Sequence, residues 1–308
     1  MTPVRPILIA GPTASGKSAL ALAIAERAGG VVINADSMQV YRDLRILTAR
    51  PEPEDEARAP HRLYGHVPAG ESYSVARWLD DAGREIALAQ AAGARPIVVG
   101  GTGLYFKALT EGLSPVPSIP EAIRAYWRDM LAREGVAEAY RQLEARDPGM
   151  AARLKPSDGQ RIVRALEVHE ATGRSLADWQ SQPGVPVVAE ADAVRLVIEM
   201  PREVLFARCD RRFDLMMSMG ALDEVRELAA QSLDSRLPAM RALGVPSLIE
   251  HLAGRIDLET AIAAAKQQTR RYVRRQQTWL KRHMITWTVV QLDQYGEFTG
   301  SIDQLIDG

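Results

Sequence analysis

Ile7-Leu8-Ile9-Ala10-Gly11-Pro12-Thr13-Ala14-Ser15-Gly16-Lys17-Ser18 decides the fold class. The four leading apolar residues are too few for a signal sequence or a membrane span and run straight into a glycine-rich turn, so they read as a buried first strand. The turn satisfies the spacing G-x-x-x-x-G-K-S/T, and the stretch after it, from about Lys17 to Ala28, reads as a helix. The chemistry explains the spacing. Glycines let backbone N–H groups turn inward around a diphosphate, and the helix N-terminus adds a partial positive charge. Lys17 supplies a full charge and Ser18 a hydroxyl for Mg2+, so Gly11, Pro12, Thr13, Ala14, Ser15, Gly16, Lys17 and Ser18 are the expected phosphate grip. A glycine-rich connection that only looks like such a loop would not combine this pattern with a strand before it and a helix behind it.

Outward from the loop, short apolar strands alternate with helical stretches: a strand at Val31–Ala35, a helix near Val75–Ala92, a strand at Ile97–Val99. That alternation predicts an α/β fold, a P-loop NTPase-like parallel sheet flanked by helices. Between Leu113 and Pro120, three prolines and two serines break both helix and strand. The charged stretch that follows, with Ile123, Trp127 and Leu131 at four-residue spacing and a second helix at Gln160–Thr172, reads as a helical insertion domain. The chain then returns to a strand at Val194–Ile198, helices over Arg202–Ala230 and Leu258–His283, and a last strand near Thr286–Leu292. The expected division is residues 1–113 for the phosphate-binding core, 114–190 for the helical insertion domain, and 191–308 for the rest of the sheet with a helical C-terminal part.

Composition bounds the function. With 308 residues and 46% hydrophobic content the chain can bury a large core, and no window of about 20 apolar residues offers a membrane span. Lysine plus arginine (38) and aspartate plus glutamate (39) nearly cancel, so affinity for nucleic acid must come from local patches. One such patch is Lys266–Arg282, where Lys266, Arg270, Arg271, Arg274, Arg275, Lys281 and Arg282 occur with no acid between them. On a helix, Tyr272, Val273, Trp279 and Leu280 would form its apolar stripe. Such a run is either a solvated face or a phosphate-backbone contact, and its single sign in a neutral chain favours the contact. A single cysteine, Cys209, fits a reducing cytoplasm and reads as an ordinary helix residue, and the five histidines lack metal-ligand spacing, so no zinc is expected. Nothing signals an obligate interface; a soluble, cytoplasmic monomer is expected.

A phosphate loop does not name a reaction. Kinases and ATPases place a carboxylate near the metal, yet Ile97–Val99 ends in Gly100-Gly101-Thr102-Gly103 with no acid, which disfavours a hydrolytic motor. Glu199, ending a later strand, reads more readily as structural than as a metal organiser. Asp36 follows the second strand, and in a parallel sheet that edge also carries the phosphate loop, so its carboxylate is expected above the diphosphate. A general base and a helix cap are equally good readings of it from the residues alone.

The motifs together decide more. GPTASGKS (Gly11–Ser18), DSMQVY (Asp36–Tyr41), PIVVGGTGLYFKAL (Pro96–Leu109), DGQRIVRALEV (Asp158–Val168), RRFDLMMSMG (Arg211–Gly220) and TRRYVRRQQTW (Thr269–Trp279) follow one another over nearly the whole chain. In that order they resemble the bacterial tRNA dimethylallyltransferases, which modify the adenosine 3′-adjacent to the anticodon. The resemblance implies that the loop holds dimethylallyl diphosphate, with Mg2+ near Ser18. It implies Asp36 as the general base for the adenine amine, Thr102 as a hydroxyl at the reacting region, and Arg212, with Lys17, as a cation on the departing diphosphate. It implies contacts to the tRNA anticodon stem-loop from Asp36, Ser37, Met38, Gln39, Thr102, Arg124, Gln160, Arg161, Ile162, Val163, Arg164, Arg241, Arg274 and Arg275. Departures from the pattern are Val245 after Gly244 where many relatives have tyrosine, the run His61-Arg62-Leu63-Tyr64-Gly65 without the aspartate often seen there, and Leu47 before Thr48 where a glycine is usual. Competing readings are prenyl transfer to free adenine nucleotides, a small-molecule kinase binding ATP in the loop, and a non-catalytic RNA-binding protein. The helical insertion and the basic C-terminal helix favour tRNA.

Overall fold

Among the described residues six short strands build one parallel sheet, the four inner ones apolar and largely buried, the two edge strands polar or exposed: β1 (Ile7–Ala10), β2 (Gly30–Asn34), β3 (His61–Arg62), β4 (Arg95–Gly100), β5 (Val194–Glu199) and β6 (Thr288–Gln291). The computed structural model describes residues 4–293 and 295–307, and in it the strand order is β3-β2-β4-β1-β5-β6. Within the sheet β1 is central, with Ile7 opposite Ile97 on one side and Val194 on the other. Its four residues are fully buried, as a strand sandwiched between helical layers requires. Ile7 and Ile9 share a core with Leu20, Ala21 and Ile24 of α1 (Lys17–Ala28).

After α1 come α2 (Pro53–Arg58), α3 (Val75–Ala91) and α4 (Gly103–Glu111). The helices α9 (Arg202–Ser218), α10 (Ala221–Ala230), α11 (Val245–Leu252), α12 (Leu258–His283) and α13 (Ile302–Asp307) complete this unit, which comprises residues 1–110 and 187–308. The expected helical stretch over Arg202–Ala230 divides into α9 and α10 at Gly220, whose φ of 100° no helix accommodates. The two-residue β3 escaped sequence reading because it is too short to show a period.

The second unit, residues 111–186, holds α5 (Glu121–Arg146), α6 (Pro148–Ala151), α7 (Gly159–Thr172) and α8 (Leu176–Gln180). Gly135, at φ 82° and ψ 174°, kinks α5 into two segments. Trp127, Met130, Leu143, Ile162 and Leu166 form its separate core. Its limit falls before 190 because the N–H groups of Val187 and Val188 both donate to the Leu109 carbonyl of the first unit, at 3.0 and 3.1 Å. Among the described residues no helix is long and apolar enough to cross a membrane.

Candidate active site

All the carboxyl ends of a parallel sheet point the same way, so the loops after β1, β2 and β4 meet at one edge. The loop after β1 wraps into α1, with Gly16 at φ 97° capping the helix and Ala14 left-handed at φ 61°. A Cβ on Gly16 would sit 2.4 Å from the Gly296 carbonyl oxygen, so glycine is required there for space as well as for conformation. Around this turn a cavity of about 470 Å³ is lined by Ala14, Gly16, Lys17, Ser18, Ala19, Ala49, Arg208, Arg211, Arg212 and Tyr295. Four cations and no acid line it, a field suited to a diphosphate.

Helix α9 brings its arginines to the loop. Arg208 Nε donates to the Ala14 carbonyl at 2.7 Å, and Arg212 Nη2 donates to Thr13 Oγ1 at 2.5 Å. Lys17 Nζ donates to the Pro12 carbonyl at 3.3 Å. Burial pulls Lys17 down from the usual lysine value to about 8, and the Arg212 charge pulls the same way, while Asp36 and Cys209 oppose it. Burial also lowers the Arg212 guanidinium. Buried Cys209 lies behind the loop with its thiol pushed up by the same loss of water.

Asp36 is held from two sides. Buried Asn34 accepts from the Asp36 N–H at 2.8 Å and donates to the Asp36 carbonyl at 2.9 Å and the Leu63 carbonyl at 3.1 Å. Asp36 Oδ1 accepts from the Met38 N–H at 2.9 Å. One oxygen thus closes the turn after β2; no helix starts here, so the expected helix cap is a turn cap instead. Thr102 adjoins it: its N–H donates to the Ala35 carbonyl at 3.2 Å, while its Oγ1 accepts from the Ser37 N–H at 3.0 Å and donates to Ser37 Oγ at 3.3 Å. The Asp36 charge acts on Lys17 and Arg212, and also on Tyr64, Tyr105 and Tyr272, whose hydroxyls burial holds protonated far above neutral pH. The expected quartet thus falls into two pairs, Lys17 and Arg212 on the cavity and Asp36 and Thr102 at the β2 edge, with the Asp36 charge acting on both cations.

Sequences alike in this arrangement form a family. The family model described as IPP transferase matches residues 39–283, and one described as isopentenyl transferase matches residues 4–66. The chain belongs to the IPP transferase family. A protein of Azorhizobium caulinodans named tRNA dimethylallyltransferase is 56% identical over 281 residues, 91% of this chain and 90% of that one. A namesake in Nitrobacter hamburgensis is 55% identical over 92% of this chain and 90% of its own length. Among solved structures, the tRNA isopentenylpyrophosphate transferase of Bacillus halodurans superposes with a TM-score of 0.69 at 31% identity, covering 99% of this chain and 93% of that one. A eukaryotic dimethylallyltransferase described as acting on tRNA gives a TM-score of 0.80 at 29% identity, over 94% of this chain and 73% of that one.

In this IPP transferase the remaining expected site residues divide by unit. Ser37 and Met38 stand beside Asp36, half-buried. Gln39 turns inward instead: its Nε2 donates to the Thr48 and Ala49 carbonyls at 2.9 and 2.8 Å, supporting the turn that lines the cavity. Arg241, Arg274 and Arg275 are exposed. In the second unit Gln160 and Arg161 are exposed and Arg164 is half-buried, but Ile162 and Val163 are corrected to core residues. Helical geometry turns these two side chains inward between their polar neighbours. Arg124 is half-buried, 3.9 Å from Glu121. The basic run on α12 is also smaller than its sequence: Lys266 pairs with Asp214 at 2.6 Å and Arg270 with Asp210, both on α9. Glu199 does not line the cation-rich cavity but a second, more apolar one, of about 690 Å³. Val245 is buried at the start of α11, and Leu47 packs toward Gly244, so these two of the departures from the family pattern lie together. Sequence reading missed Asn34 and Gln276. A polar residue at a buried position was the available signal, legible once the strand and helix faces are assigned.

Proposed function

We propose that this IPP transferase moves the dimethylallyl group of dimethylallyl diphosphate onto the exocyclic N6 of the adenosine 3′-adjacent to the anticodon in tRNA, releasing diphosphate. The carrying observation is a carboxylate fixed at the β2 edge, beside Thr102, whose charge is felt by the Lys17 and Arg212 of a cation-lined cavity. The names of the relatives support the same reading, both for the transferred group and for tRNA as its acceptor.

The chemistry follows from those residues. An adenine amine is a poor nucleophile because its lone pair is delocalised into the ring. As the N6–C1 bond forms and the C1–O bond breaks, Asp36 takes the N6 proton. Negative charge grows on the leaving diphosphate, where Lys17, Arg212 and the loop N–H groups stabilise it more strongly than in the ground state. The adenosine must leave its stack to reach this edge. Mg2+ fits the donor set: Ser18 offers one exposed hydroxyl at the cavity, as suits an ion that keeps several waters and binds largely through substrate phosphates. When bound it would neutralise part of the diphosphate charge. In the second unit Arg124, Gln160, Arg161 and Arg164 are the side chains proposed to meet tRNA, and in the first unit Arg241, Arg274 and Arg275.

The test is direct. Incubation with Mg2+, labelled dimethylallyl diphosphate and unmodified tRNA should place label in the RNA. No transfer, with phosphate moved from ATP instead, would replace this reading by a kinase. The basic helix is tested by salt. Arg274 and Arg275 are exposed and lie over the rings of Phe206 and Tyr272, so both are available to phosphates. Replacing both by alanine should flatten the log K against log salt slope for tRNA by roughly 1 to 2. An unchanged slope would make this face merely solvated.

A further inference from the structure

We infer that Gln276 is a positioning residue of this site, its side-chain amide setting the spacing between the phosphate loop and the Thr102 turn. The inference rests on the transfer reaction proposed above.

Gln276 lies on the buried stripe of α12, with Ala261, Ala265, Thr269, Val273 and Leu280, and is 6% exposed. An amide buried there costs free energy unless both its ends are paired. Both are: Nε2 donates to the Gly101 carbonyl at 2.9 Å, and Oε1 accepts from the Thr13 N–H at 2.9 Å. The partners fix which way the amide points, since the reverse would set N–H against N–H and carbonyl against carbonyl. Each partner leads directly to a residue proposed for the site. Thr13 holds Arg212 through its hydroxyl, and Gly101 precedes Thr102, whose hydroxyl holds Ser37 next to Asp36. A single side chain therefore joins the leaving-group side of the site to the base side.

The glycines of the turn report how closely α12 is seated. A Cβ on Gly101 would fall 2.3 Å from Gln276 Nε2, and one on Gly103 would fall 2.1 Å from the Trp279 ring. A Cβ on Gly100 would fall 2.1 Å from the Ala35 carbonyl oxygen. Gly100 thus serves the approach of the β2 end, and Gly101 and Gly103 the approach of α12. Trp279 is three residues beyond Gln276 and Tyr272 four before it, so all three share one helix face. Such contact gives α12 a second task besides presenting arginines: it braces the catalytic edge.

Gln276→Met keeps length and shape but removes both hydrogen bonds. It should lower kcat for transfer by about 10²-fold, the scale of an ångström-sized misplacement, with tRNA affinity and KM for tRNA unchanged. Gln276→Glu supplies the discriminating readout. Its carboxylate opposes the Gly101 carbonyl, whereas its protonated form again offers one donor and one acceptor, so its kcat relative to wild type should rise as pH falls from 8 to 6 (~2 units). Wild-type kcat in the methionine variant, or a loss confined to tRNA affinity, overturns the inference. Should the methionine variant not fold, a pH-independent ratio for the glutamate variant overturns it equally. Wild-type protein inactive on the same RNA would instead remove the transfer reading itself.

Discussion

Asp36→Ala should lower kcat for dimethylallyl transfer by roughly 10²- to 10⁴-fold, the range a positioned general base contributes, while tRNA binds as before. The reasoning starts from the backbone. Asn34 pins both the N–H and the carbonyl of Asp36, so the position of this residue does not depend on its own side chain. The side chain has two jobs, an acceptor for the Met38 N–H and a carboxylate whose charge reaches Lys17 and Arg212. Asp36→Asn separates them, because an asparagine oxygen still accepts from Met38 but its amide cannot take a proton. Both variants should be similarly inactive in single-turnover transfer, and filter binding of unmodified tRNA should be alike for all three proteins. An active asparagine variant beside an inactive alanine one would show that the residue matters only as a cap.

Local features of this site were open to sequence reading, and features that depend on docking were not. The phosphate loop announces itself because its pattern, the strand before it and the helix after it occupy one continuous stretch, and α1 falls at the expected Lys17–Ala28. The position of Asp36 at the edge that carries the phosphate loop follows from strand parallelism alone. Periodicity, by contrast, says which face of a helix is buried and nothing of what it meets. Tyr272 reads as part of an apolar stripe, yet its hydroxyl comes within hydrogen-bonding reach of Thr102 and Gln276. The positive run on α12 loses Lys266 and Arg270 to acids on α9 that lie more than fifty positions earlier in the chain. Gln276 meets Thr13 across 263 positions, a contact no local pattern encodes. Ile162 and Val163 differ in the opposite sense: a resemblance carries over a whole run of residues, but a helix turns only one side of that run outward, and these two side chains are buried.

Lys17→Met should lower kcat/KM for the donor by roughly 10²- to 10³-fold, the loss expected when one preorganised charge is withdrawn from a developing oxyanion. The wild-type enzyme should also show a descending limb in kcat/KM centred near pH 8. Burial depresses Lys17 to about 8 in the ligand-free protein, so the ammonium that receives the diphosphate is present below that value and is lost as pH rises through it. Once diphosphate is bound its negative charge restores the proton, so the limb in kcat should lie at higher pH than the limb in kcat/KM. Cys209 is the neighbour that could mimic this behaviour, but burial pushes its thiol above the ordinary value of 9.0. Cys209→Ser should therefore keep the limb, and Lys17→Met should abolish it. Stability gives an independent check with the sign worked out. A lysine whose folded value lies below its unfolded value of 10.5 opposes folding below about pH 8, and that penalty is relieved as pH rises from 8 towards 10.5. Ligand-free Lys17→Met should accordingly melt above wild type at pH 7, with the gap narrowing by about pH 10. A gap that stays constant across that range would mean that Lys17 is not held in a depressed state, and the pH-rate argument would fall with it.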